Sequence, residues 1–96
     1  MQHKLNSLQQ NLLTEFCERW EVKLSKDYSG RGMMGKTCVG LIISQFVSPF
    51  MIGMKLGQFL ALNPDPADDL LELIEGNSTD SLGKGTILYF PTLTWQ

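Results

Sequence analysis

Gly30-Arg31-Gly32-Met33-Met34-Gly35-Lys36-Thr37, running directly into Cys38-Val39-Gly40-Leu41-Ile42-Ile43, is the stretch on which the fold turns. Its first part satisfies two phosphate-binding spacings at once, G-x-x-x-x-G-K-[ST] and G-x-G-x-x-G. Both motifs need a helix to begin where they end, because the helix N-terminus and successive backbone N–H groups hold the phosphates. The second part does not read as that helix. It is almost wholly apolar and rich in β-branched residues, the pattern of a central strand. A minimal phosphate-handling enzyme, with Lys36 on a phosphate and Thr37 on a metal, therefore lacks its scaffold, and no apolar strand ending in Asp offers a Walker B acid. A dinucleotide-binding fold fails for the same reason, and 96 residues cannot hold its two halves.

Working backwards, Trp20, Val22 and Leu24 alternate with Glu21, Lys23 and Ser25, which predicts a half-buried strand reaching Lys26 or Asp27. The two strands then form a hairpin, and the glycine-rich stretch is its long connection. One reading of that connection is a plain turn, with glycines that permit positive φ and with Arg31 and Lys36 solvated. The sharper reading is a clamp, in which exposed N–H groups beside two cations engage a phosphate, a nucleotide or a partner's carboxylate. The candidate contact set is Tyr28, Ser29, Gly30, Arg31, Gly32, Met33, Met34, Gly35, Lys36 and Thr37. Met33 and Met34 either pack back onto the core or present a deformable contact surface. Lys84, in Gly83-Lys84-Gly85, joins this site only if the last strand lies beside the hairpin.

Before the hairpin, Ser7-Leu8-Gln9-Gln10 has the form of a capping box, and Leu8, Leu12, Leu13, Phe16 and Trp20 recur at helical spacing, predicting a helix from Leu8 to Arg19. After it, Ser48-Pro49 supplies a cap and first-turn pair for an apolar helix through Phe50, Ile52, Met54, Leu56, Phe59 and Leu60, stopping at Asn63-Pro64. Asp65-Pro66-Ala67-Asp68-Asp69 starts a third helix capped at Gly76. A polar link from Asn77 to Gly85 leads to a last strand, Thr86–Phe90, ended by Pro91, with Trp95 tucked onto the core. The expected fold is thus a single α+β domain over residues 1–96, of order α-β-β-α-α-β, with a mainly antiparallel three-stranded sheet packed by helices.

On the second of these helices Gly53 and Gly57 form a small-x-x-x-small pair, extended by Pro49 and Ala61. Such a stripe marks close packing inside the fold or a helix contact across a homodimer, which would also relieve a small core. Charge is divided along the chain. Residues 1–55 hold seven Lys or Arg against four acids, and residues 56–96 hold Lys84 against six acids, for a net charge of −2. This acidic balance, without a dense basic stripe interleaved with aromatics, argues against nucleic-acid binding. The acids Asp65, Asp68, Asp69, Glu72 and Glu75 fit capping and solvation better than metal ligation.

Cys17 and Cys38 have apolar neighbours and read as reduced core residues of a cytoplasmic protein. Neither they, nor Ser29, nor His3 in an N-terminus expected to be loose, has the surroundings of a nucleophile or base. The start of the chain lacks the apolar run of an export signal, and Leu41–Leu62 is broken by Pro49, Lys55 and polar side chains where a membrane span would be continuous. The expected function is a non-enzymatic, cytoplasmic binding module without a cofactor. It is expected to be homo-oligomeric through Gly53 and Gly57 and to contact an anionic small molecule or a protein through residues 28–37. A protein-directed inhibitor or accessory protein of a mobile element is the alternative in the same class.

Overall fold

The glycine loop joins two antiparallel strands, as the strand character of Cys38–Ile43 requires. The structure, a computed structural model, describes residues 2–63, 70 and 74–96. Its elements are β1 (His3–Lys4), α1 (Ser7–Arg19), β2 (Lys23–Tyr28), β3 (Cys38–Ile43), α2 (Pro49–Ala61), a 3₁₀ turn (Ile74–Gly76), β4 (Ser78–Leu82), β5 (Gly85–Phe90) and β6 (Leu93–Thr94). The domain is α+β. Four strands form an antiparallel sheet in the order β2-β3-β5-β4, and β1 pairs in parallel with β6.

Two parts of the expected order are corrected, and a third lies mostly outside the described residues. The sheet has four strands because Ser78–Leu82, expected as a polar link, pairs with β5 through the two-residue turn Gly83-Lys84. Gly83 takes φ +57° at the first turn position, where a tight hairpin calls for glycine. The N-terminus is held, not loose: His3 and Lys4 pair with Leu93 and Thr94, and Leu5 is buried. The third helix, expected from Asp65, falls mostly on residues 64–69 and 71–73, outside the described ones. Of its span, Ile74–Gly76 is a 3₁₀ turn and Leu70 is buried.

Boundaries moved for local reasons. The cap of α1 is Asn6, whose side chain accepts from the Gln9 N–H while the Gln9 side chain accepts from the Asn6 N–H, so the box expected at Ser7 lies one residue earlier. This places Gln9, Leu12, Leu13, Phe16 and Cys17 on the buried face. Leu8 lies about 100° around the helix from Gln9 and is 64% exposed. Glu21, at φ +54°, turns the chain after α1, so β2 starts at Lys23 and continues through Tyr28. Ser48 caps α2 by accepting from the Met51 N–H, with Pro49 in the first turn, as the sequence predicts.

The sheet is covered on both faces. Val39, Leu41, Ile43, Leu88 and Phe90 point to one side, where Leu12, Leu13 and Phe16 of α1 meet Ile52, Leu56 and Leu60 of α2. Phe16 and Phe59 close the seam between the helices, with ring centroids 5.7 Å apart, and Trp95 packs at the margin of this cluster. Cys38, Ile87 and Tyr89 point to the other side and are covered by Met33 of the glycine loop. Cys17 and Cys38, both unbridged, therefore lie on opposite sides of the sheet.

Candidate functional site

Two surfaces stand out, the glycine loop and the outer face of α2. The loop is built from two successive turns, closed by Met33 N–H to Gly30 C=O at 3.1 Å and Lys36 N–H to Met33 C=O at 3.0 Å. Gly32 at φ +82° and Gly35 at +86° supply the left-handed backbone, and Met34 joins them at +53°. Lys36-Thr37 then enters β3, so no helix N-terminus stands behind the Lys-Thr pair.

A mount on the sheet holds this loop. Tyr28 lies across Gly40, its ring 5.1 Å from that of Tyr89, and its hydroxyl donates to Asp80 Oδ2 of β4 at 2.5 Å. The same carboxylate oxygen accepts from the Arg31 N–H at 3.4 Å. Gly30 fits where nothing larger does, since a Cβ there would stand 2.6 Å from the Tyr89 ring. The hydrogen bond to Asp80, followed by burial, pushes the Tyr28 phenol up to about 12, because ionisation would break the bond and set two anions together.

The ten expected contact residues are thus split. Tyr28, Gly30 and Met33 are taken up by internal packing, while Ser29, Arg31, Gly32, Met34, Gly35, Lys36 and Thr37 are exposed. Met34 is 95% exposed, so the adjacent methionines do both of the things expected of them, one packing back and one facing out. Beneath Met34 and Lys36 is a hollow of about 270 Å³ that reaches Gln2 and Thr92. The Gln2 side-chain amide donates to the Thr37 and Pro91 carbonyls, and the Thr92 hydroxyl is buried there without a partner among the described residues. Lys84 does not join this group. Although β5 lies beside β3, Lys84 sits by Ser44–Phe46 at the far end of the sheet.

The second surface was only partly legible. The inner face of α2 buries Ile52, Leu56, Phe59 and Leu60. Its outer face carries Phe50, Met51, Met54 and Ala61, all exposed, with Phe50 at 76% and Met54 at 50%. Phe46, just before the helix, is 86% exposed. Lys55 and Gln58 are the only long polar side chains on the helix, and Lys55 folds back over the Trp20 ring at 5.6 Å. Phe50, Met54, Gly57 and Ala61 follow one another at i, i+4, i+7 and i+11, a continuous stripe. Beside it an open hollow of about 450 Å³ is walled by Phe50, Gly53, Met54, Ile74 and Leu88.

Packing among the described residues does not explain the two helix glycines. A Cβ on Gly57 would meet nothing within 4 Å, and one on Gly53 would make only an ordinary contact with Leu88, at 3.9 Å. Burial pushes the Cys17 thiol up to about 11 and raises Cys38 as well, so both thiols stay protonated at neutral pH. No helix of the described residues is long and apolar enough to cross a membrane. Comparison with protein-family models, with curated proteins and with solved structures finds no match to this chain.

Proposed function

We propose that this chain is a non-enzymatic protein-interaction module that works as a homo-oligomer, with the outer face of α2 as its contact surface. The observation that carries this reading is that α2 is apolar on its outer face as well as its inner one, with polar side chains only at Lys55 and Gln58. A surface helix of a globular protein normally turns charged residues outward, and one that is hydrophobic on every side is normally covered on every side. Gly53 and Gly57 support the same reading. Each weakens a helix interior by about 1 kcal/mol relative to alanine, and close approach by another backbone is what makes a missing Cβ useful. A second copy fits because the stripe carries no charge to repel its own image, Lys55 being turned onto Trp20. The buried, unbridged cysteines support a cytoplasmic setting.

Disulfide trapping tests the geometry. A Met54→Cys variant should form a covalent dimer under mild oxidation, whereas Asn11→Cys, on the exposed side of α1, should not. Equal trapping at both positions, or at neither, would count against α2 as the seam.

A second reading concerns the loop, and its fixed mount favours it. Because Tyr28, Asp80 and Met33 hold the loop down, Arg31, Met34 and Lys36 project from a prepared surface that suits an anionic ligand or an acidic patch on a partner. Arg31→Ala with Lys36→Ala should abolish retention on immobilised phosphate and polyanion supports without lowering the melting temperature. Unchanged retention would leave the loop as a structural cover only.

A further inference from the structure

We infer that the outer edge of β2 takes an extended partner segment carrying acidic side chains, which adds to the sheet as a fifth strand. The strand order β2-β3-β5-β4 leaves β2 at an edge, and among the described residues no hydrogen bond reaches its outer side. Alternate N–H and C=O groups along Lys23–Ser25, before the register shift between Ser25 and Tyr28, are therefore open to a new strand. This edge is also the wall of a groove of about 600 Å³, whose other wall is the C-terminal stretch around Trp95.

The chemistry of the groove selects the occupant. Leu24 and Trp95 line it from the helix side of the sheet and Ile42 from the loop side, Lys26 and Lys23 stand on those same two sides, and Asp27 is the one acidic side chain among the described lining residues. The Lys26 ammonium lies 4.9 Å from the centre of the Trp95 ring, which holds the cation at the groove. Antiparallel pairing of β2 with its own copy would bring together two strands that each carry Lys23 and Lys26 against one acid, Asp27, and excess like charge across a ladder is unfavourable. Lys23 lies on the loop side of the sheet and Lys26 on the helix side, so together they favour a segment with Asp or Glu on both of its faces. Self-association and strand addition thus use different elements, α2 and β2, and this inference does not depend on the α2 contact.

The test is a titration of the isotopically labelled full chain with a short blocked peptide of Glu-Glu-Val-Val repeats, which sets Glu on both faces of an extended strand, followed by amide chemical shifts. The expected result is perturbation confined to Lys23–Tyr28 and the Trp95 indole, weakening as salt rises. Lys23→Glu with Lys26→Glu should lose affinity by about tenfold and gain it for the matching Lys-Val peptide. Repeating the titration with Met54→Glu should leave binding unchanged, which separates this site from the α2 seam. No perturbation at β2, perturbation centred on α2 or the glycine loop, or charge-reversed variants that keep their preference for the acidic peptide would each overturn the proposal.

Discussion

Tyr28 shows how a single side chain can fix a loop. Its ring crosses the one position of β3 that has no side chain, Gly40, and its hydroxyl ends on Asp80, two strands further across the sheet. The phenol is raised from 10.0 to about 12, so the folded state keeps this proton longer than the unfolded chain does. The stabilisation is complete below pH 10 and is lost as the pH rises from 10 towards 12. Tyrosinate absorbance should therefore show a phenol titrating near 12 in the native protein, moving back towards 10 in Asp80→Asn. Tyr28→Phe should flatten the fall in stability over that range. An Asp80→Asn titration identical to the native one would show that the carboxylate is not the cause.

Glycines give a second test at the same scale, because their reasons differ. A Cβ at Gly85 would fall on the Ile43 carbonyl oxygen, part of the β3 backbone that cannot turn aside, while one at Gly76 would meet none of the described residues within 4 Å. Gly85→Ala should cost about 1–3 kcal/mol in denaturant unfolding, as overpacking does, with Gly76→Ala close to neutral. Equal effects would mean that the sheet gives way at Gly85. Which glycines are constrained was not legible in the sequence, since the constraint at Gly30 and Gly85 comes from neighbours in space, Tyr89 and Ile43.

At the scale of elements, the strongly periodic or capped segments were legible and the short or polar ones were not. The apolar run Cys38–Ile43 announced a strand buried on both faces, and Ser48-Pro49 announced the start of α2. In β4, Ser78-Thr79-Asp80-Ser81 has low strand propensity and an exposed edge, so only its tight turn and its pairing with β5 make it a strand. With two residues each, β1 and β6 are too short to carry a period. The cap of α1 was misplaced by one residue because Asn6 and Ser7 are both good caps, and the reciprocal bond to Gln9 decides between them. Asn6→Ala should therefore lower stability by about 1 kcal/mol and Ser7→Ala by much less, as read by thermal unfolding. The reverse ranking would return the cap to Ser7.

Across the whole molecule, helices cover one face of the sheet and a loop covers the other. The sequence marked the loop as unusual and read it as a plain turn or an anion clamp; in space Met33 and Gly30 serve the second, smaller cluster around Tyr89. The candidate interface was half legible. Gly53 and Gly57 were visible as a pair, whereas the outward position of Phe50 and Met54 depends on which side of α2 faces the sheet. If that outer face is covered by a second copy, Gly57→Ala has two effects of opposite sign. It should stabilise the single chain by about 1 kcal/mol through helix propensity and at the same time weaken association by crowding the seam. A gain in stability with no change in association would make Gly57 an ordinary surface glycine.

The most direct measurement is sedimentation equilibrium of the purified protein over a range of concentrations, beside the Met54→Glu variant. The α2 seam predicts a native species of at least twice the 10.8 kDa chain mass and a folded Met54→Glu variant that stays at one chain mass. A native protein that remains at one chain mass throughout, or a variant that associates as the native protein does, would contradict it.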